Sequence, residues 1–236
     1  MPNFGTSGHC VYYGAKYTLK PETIWFDPVV EDLETHEWIY DRENSFYRRQ
    51  REIVRFLAEK GKGNYLLSMP DNCGTLDAIG HLHGSIDTLL DLYERPEAVS
   101  SSVATINQGW TEAAETFYQL IKECDEGGSC VGWMDTWAPG RHAQMQCDMS
   151  VMFSPDCYQE FVLPELKEQM EWGDYMVYHF DGREQIHHLD HLLSLERLKM
   201  IQWTNVDGQE TPAHFIPALK RMQEAGKIVL VCTPAS

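Results

Sequence analysis

The sequence predicts an α/β fold built on a parallel sheet, and three observations carry that expectation. Short apolar runs recur along the 236 residues, each followed by a polar or glycine-rich corner. Amphipathic stretches of helical length separate them, which is the pattern of βαβ units. The Gly-x-Gly-x-x-Gly fingerprint and the phosphate-loop pattern are both absent, so a nucleotide-binding version of the fold has no motif support. Roughly six strand-plus-corner units can be counted, which leaves an open α/β sheet or a (β/α)8 barrel.

In chain order, NYLLSMPDNCG (64–74) is the first clear unit, and TLDAIGHLHGSIDTLLDLYE follows it with apolar residues at helical spacing. Residues 96–128 read as one long helix or a helix pair, stopped by Gly127-Gly128. SCVGWMDTWAP (129–139) is strand-like, and MQCDMSVM (145–152) is a second short strand or extended segment. Ser154 before Pro155 fits an N-cap followed by proline at the first helical position. YMVYHFDG, KMIQWTNVDG and GKIVLVCTP supply three more strands, with helices HHLDHLLSLERL and PAHFIPALKRMQEAG between them.

The length suits one domain covering residues 1–236, with 43% hydrophobic and 23% charged residues. A formal net charge of -17 argues against a nucleic-acid surface, which needs clustered Lys and Arg, and against an anionic membrane surface. The basic cluster Arg48–Arg51 is short and reads as a solvated helix face. No apolar run reaches the roughly 18 residues of a membrane helix. The N-terminus lacks the basic and apolar regions of a secretory signal. The 7 cysteines (Cys10, Cys73, Cys124, Cys130, Cys147, Cys157, Cys232) are scattered and never spaced as Cys-x-x-Cys. That usage fits a reducing compartment, so the expected location is the cytoplasm.

HFDG poses the functional question most directly. On a strand, His179 and Asp181 face the same side, so both can point into one site. An imidazole and a carboxylate can hold a metal ion together, or act as a proton-transfer pair in which the aspartate fixes the histidine tautomer. The bland alternative is a satisfied core histidine and a helix-capping aspartate. Cys147-Asp148 ends another strand, with either residue able to face the same mouth. GWMDTWAPGR offers Trp133, Asp135, Trp137 and Arg141, the aromatics as an apolar wall and the guanidinium for a substrate carboxylate. Asp71 in MPDNCG and Trp203 in IQWTN hold equivalent strand-end positions. His187 and His191 stand four apart, a chelating spacing, but the surrounding leucines favour an ordinary packed helix. His81 and His83 read as a helix surface and its neighbour.

NFGTSG, LLSMPDNCGTLDAIGHLHGSIDTLLDLYERPEAV, QCDMSVMFSPDCYQEFVLPELKEQ, YHFDG with HLDHLL, and IQWTNVDGQ occur in an order and spacing that resemble the uroporphyrinogen decarboxylase superfamily. That superfamily includes methyltransferases serving corrinoid proteins and coenzyme M. The resemblance implies a (β/α)8 TIM-type barrel with its site at the C-terminal ends of the strands. Against the family pattern this chain is shorter at both ends, as a fragment or a shortened variant. Dimerisation, common in the superfamily, would cover an open sheet edge. In the methyltransferase relatives a His-x-Cys pair at the strand end helps hold zinc, which binds a substrate thiol as thiolate. Here the pair is His179-x-Asp181, and Cys147 is the natural thiolate to join it. The family's third ligand comes from the late barrel, where Cys232 is a weak substitute.

The resemblance therefore implies methyl transfer from a corrinoid, free or carried by a partner protein, to a small thiol-type acceptor activated by zinc. The runner-up is decarboxylation of uroporphyrinogen or a smaller carboxylate. The RQAGR-like stretch that neutralises the porphyrinogen carboxylates is missing, which lowers its standing. A non-catalytic binding subunit that keeps the barrel is the rival from another class.

Overall fold

The computed structural model describes residues 5–21, 23–206 and 208–231. The described chain opens with a buried 3-10 turn, Gly8–Tyr13, and an antiparallel hairpin of β1 (Lys16–Leu19) and β2 (Ile24–Asp27). Helix α1 (Ser45–Gly61) starts on Asn44, whose Oδ1 accepts hydrogen bonds from the N–H groups of Phe46 at 2.9 Å and Tyr47 at 3.4 Å. It buries Phe46, Tyr47 and Val54; Arg48 and Arg49 face solvent, but Gln50 is buried and Arg51 half-buried, so only the first half of the basic cluster is a solvated face.

Three helices follow: α2 (Thr75–His83), α3 (Ser85–Glu94) and α4 (Pro96–Ile121). Stretch 96–128 is thus a single helix with proline in its first turn, where a missing N–H is harmless. Val99, Val103, Ile106, Trp110, Ala113, Phe117 and Ile121 recur at three- and four-residue spacing along α4 and are all buried. Each large side chain in that stripe contributes about 1.5–3 kcal/mol of burial. His83 lies inside the protein rather than on a helix surface: Nδ1 is 2.9 Å from the Val30 carbonyl and Nε2 is 3.1 Å from Asp91 Oδ2. The ring ties α2 to α3, and its polar atoms are satisfied there.

Stretch 129–139 forms a hairpin, not one strand. β3 (Ser129–Val131) turns at Gly132–Met134 and at Asp135, which has φ 53, and returns antiparallel as β4 (Thr136–Ala138). The parallel sheet then runs β5 (His142–Met145), β6 (Tyr175–Phe180), β7 (Met200–Trp203) and β8 (Ile228–Val231), in that spatial order. β3 stands beside β5, joined through Ser129 Oγ to the His142 carbonyl at 2.9 Å, and a parallel bridge joins Ser68 to Cys130. The four-stranded sheet does not close on itself among the described residues. Of the barrel-type fold, short at both ends, that the sequence suggests, the described residues show a mixed α/β fold with a 4-stranded parallel sheet.

Stretch 145–152 leaves β5 at once for a 3-10 turn, Asp148–Met152, because the Asp77 carboxylate accepts the N–H groups of Asp148 (3.0 Å) and Met149 (2.8 Å). Beyond it Ser154 caps α5 (Pro155–Cys157), which runs through a widened turn, Tyr158–Val162, into α6 (Leu163–Trp172). Pro164 cannot donate to the carbonyl four residues back, so the ladder loosens there. The crossover after β6 is a 3-10 turn, Gly182–His188, leading into α7 (Leu189–Leu193), and α8 (Ile216–Glu224) precedes β8. No helix among the described residues is long and apolar enough to cross a membrane.

Candidate functional site

The carboxyl ends of β5, β6 and β7 carry a polar layer inside an otherwise apolar sheet. His179 of β6 stands opposite Gln202 of β7 in register, and Phe180 stands opposite Trp203. The strand period sends His179 and Gln202 toward the site and Phe180 and Trp203 into the core. His179 Nδ1 lies 2.6 Å from Gln202 Oε1 and 3.1 Å from Thr204 Oγ1. The Gln202 carbonyl oxygen accepts the Nδ1 proton, which turns Nε2 toward the opening. There Nε2 meets Asp181 Oδ1 at 3.3 Å and Asp148 Oδ1 at 4.0 Å. The Trp133 ring packs edge-on against the imidazole at 5.0 Å, and its Nε1 donates to Gln144 Oε1 at 3.2 Å. Gln144 in turn donates to Asp71, and Gln146 donates to Asp148 Oδ2 at 3.3 Å.

Gly182 fixes how the chain leaves β6. Its φ is +61, and a Cβ there would stand 2.6 Å from Gln209 Oε1 and 2.7 Å from the Thr204 carbonyl. Only glycine fits, which is why the HFDG corner ends as it does. Asp181 is held by its own backbone: its N–H donates to Gln185 Oε1 at 3.1 Å and its carbonyl accepts from Gln209 Nε2 at 3.2 Å.

The electrostatics follow from crowding. Burial by itself would lower the His179 pKa, but the hydrogen bond to Asp181 and the charges of Asp148 and Asp181 overcome it and raise it to about 9. Burial lifts Asp71 to about 6 against the pull of His179 and Gln144. Asp148 also rises to about 6, from desolvation first and then from Asp181 and Asp71, with His179 opposing. Since 52% of the Asp148 side chain is open to solvent, solvent tempers that rise. Asp77, fully enclosed, is pushed to about 8 by burial and by Asp148.

Of the residues singled out in the sequence, His179, Asp181 and Asp148 converge, with Asp71 and Trp133 beside them. The others do not join. Cys147 is turned away: its side chain is wholly buried, burial drives its thiol pKa well up, and only its carbonyl faces Gln185, at 3.0 Å. Consecutive residues entering a turn face opposite ways, so placing Asp148 at the mouth sends Cys147 into the core. Arg141 precedes β5 and lies at the other end of the sheet, paired with Glu115 at 2.8 and 3.2 Å and stacked over Tyr118. Trp203 is fully buried between Phe180 and Phe215. Trp137 sits on the hairpin, its Nε1 donating to the Asp125 carbonyl at 3.1 Å, and Asp135 occupies the exposed hairpin turn. His187 and His191 pack against His188 and Tyr158 and converge on nothing. Cys232 lies outside the described residues.

Gln144, Gln146, Gln202, Thr204 and Asp77 were not singled out in the sequence. A signal existed for four of them: Gln144-x-Gln146 and Gln202-x-Thr204 are polar pairs at strand period on otherwise apolar strands.

The donor set suits a divalent cation. Zinc bonds to imidazole and carboxylate are about 2.0–2.2 Å, which in a tetrahedron places ligand atoms about 3.3–3.6 Å apart. The 3.3 Å separation of Nε2 and Asp181 fits that edge, and the 4.0 Å separation of Nε2 and Asp148 needs a shift of a few tenths of an ångström. The Nδ1 contact to Gln202 supplies the outer partner that metal-binding histidines use to fix their tautomer. The set is one nitrogen and two oxygens, harder than the sulfur-containing set expected with Cys147.

Two cavities flank the cluster. One, about 670 Å³, is lined by Leu57, Tyr65, Leu66, Trp133 and Asp135. The other, about 370 Å³, is lined by Ser7, Cys73, Asp77, His81, Gln146 and Asp148.

The fold resembles that of a solved methyltransferase from Methanosarcina mazei, with a TM-score of 0.63 over 96% of this chain and 71% of that one. At 12% identity the likeness describes the fold. No known protein family matches the sequence, and no curated protein does.

Proposed function

We propose that the chain is a methyltransferase in which His179, Asp181 and Asp148 hold a divalent cation, most simply zinc, that presents a thiol-type acceptor to a corrinoid methyl donor. The convergence of two carboxylates on His179 Nε2, with Nδ1 tied to Gln202, carries this reading. A bound zinc would supply Lewis acidity, favouring the thiolate form of the acceptor. The chain's own residues do the rest. Gln202 and Thr204 hold the imidazole plane, and Trp133 limits its swing from the other side. Asp71, outside the ligand set and lifted to about 6, is suited to take up the acceptor's proton. The larger cavity, with its apolar and aromatic wall, suits the bulkier donor; the smaller polar one suits the acceptor.

Metal analysis of protein purified without chelators, followed by visible-absorbance titration with methylated cobalamin and a small thiol, tests this. Bound zinc that is lost in His179→Ala, together with thiol-dependent demethylation of the cobalamin, is the expected result. Metal content unchanged by His179→Ala overturns the metal assignment.

One observation favours a second reading. The two carboxylates 3.3 and 4.0 Å from Nε2 keep a metal-free His179 as an imidazolium at neutral pH, able to bind or neutralise an anionic substrate group. On that reading the cluster is a substrate-binding site with no metal, and activity survives exhaustive chelation.

A further inference from the structure

Away from the polar layer, a second cluster gathers softer donors. His9 and Cys10 lie on the buried turn Gly8–Tyr13, and Cys73 lies just before α2. One ligand atom from each falls within 4.8 Å of the other two. All three are inside the protein, with exposures of 1%, 0% and 2%. His9 is the informative member: both ring nitrogens are buried and neither has a hydrogen-bond partner among the described residues. A neutral imidazole carries one donor and one acceptor, and interiors rarely leave both unpaired. The core histidine His83 shows the contrast, with a partner at each nitrogen. The thiols have weak partners: Cys10 Sγ reaches the Ala78 carbonyl only at 4.0 Å, while Cys73 Sγ contacts its neighbour's carbonyl at 3.2 Å and interacts with Cys10 and Ser7.

We propose that His9, Cys10 and Cys73 form a second metal site, selective for zinc, that staples the Gly8–Tyr13 turn to the start of α2. Two cysteines and one histidine are a zinc donor set in kind and number, leaving one position for a further ligand. Burial, and then the neighbouring His81, lower the His9 pKa to about 3, so its nitrogen lone pair is available at neutral pH. Burial also raises the Cys73 thiol, with Cys10 adding to it, so Cys73 is protonated in the metal-free protein. Binding then replaces two S–H bonds with two zinc–sulfur bonds and releases two protons to solvent, with no change in oxidation state. An entry path exists, because Cys73 lines the same cavity as Asp77 and Asp148. Cys10 and Cys73 are far apart in sequence, so no Cys-x-x-Cys spacing betrays them.

Cobalt(II) titration of the reduced, metal-free full chain separates this site from the His179 site. Thiolate ligands give a near-ultraviolet charge-transfer band, and the nitrogen–oxygen set at His179 gives none. The band is expected in wild type and in His179→Ala, and absent from Cys10→Ser and Cys73→Ser. Should the cysteine variants not fold, zinc-edge X-ray absorption of zinc-loaded His179→Ala reads the same site, with sulfur neighbours expected at about 2.3 Å. Absence of the band and of sulfur scattering while both thiols are reduced overturns the proposal. Isolation of the chain with a Cys10–Cys73 disulfide and no bound zinc overturns it too. Either result leaves the His179 reading to stand or fall on its own metal content.

Discussion

His179 keeps its charge against burial because two carboxylates and an amide oxygen surround it, and that balance has a pH signature. In the metal-free protein its pKa is raised from 6.5 to about 9, so the folded state binds a proton that the unfolded state has released. The stabilisation is full below pH 6.5 and is lost as pH rises through about 9. Across that window it amounts to at most on the order of 3 kcal/mol. Chelated wild type should therefore lose thermal stability between these pH values, and His179→Gln should lose much less; parallel Tm profiles for the two would contradict the assignment. Gln202 is tested through the metal. Replacing it with leucine removes the nearer of the two Nδ1 partners, and zinc affinity measured by competition with a chelator should fall about 10–100-fold while the fold is kept. Asp181 and His179 were legible as a same-face pair from strand period alone. Cys147 was misassigned because a two-residue motif cannot say which member turns inward, whereas the Asp77 contacts to the Asp148 and Met149 N–H groups decide it.

Among the elements, the β6 corner is the most constrained. Gly182→Ala places a methyl group 2.6 Å from Gln209 Oε1 at a positive φ, so urea unfolding should show a loss of about 1–3 kcal/mol. The same variant should weaken zinc binding, because Asp181 is the preceding residue. α4 is a control because it contributes no residue to the His179 cluster: Ile106→Ala, wholly buried, should cost about 2–5 kcal/mol and leave zinc binding at His179 unchanged. The long helix and the three late strands were readable because their apolar periods are clean. The β1–β2 and β3–β4 hairpins were not. Their strands are only 4 and 3 residues long, and all of β1 is exposed, so burial patterning is weak. Arg141 was misplaced for a related reason. The sequence shows that it adjoins a strand, and only the hairpin before it reveals that the strand starts there.

For the molecule as a whole, a net charge of -17 puts repulsion into the folded state. Raising the ionic strength shortens the Debye length from ~30 Å to ~8 Å and should stabilise the chain by about 1 kcal/mol, or ~2–4 °C of Tm. A Tm that falls with added sodium chloride would show that ion pairs such as Arg42–Glu112 and Arg141–Glu115 outweigh the repulsion. The alternation of strands and helices was enough to expect α/β architecture, while the place of the site at the carboxyl ends of the strands was implied by the family resemblance. Closure into a barrel was not decided by local pattern, because it depends on which strand edges meet. Whether His179 belongs to a metal centre is read from the zinc content per chain of wild type and of His179→Ala, purified side by side without chelators. The variant should lose a full equivalent relative to wild type, whatever a second site retains. Equal zinc in the two proteins would contradict it.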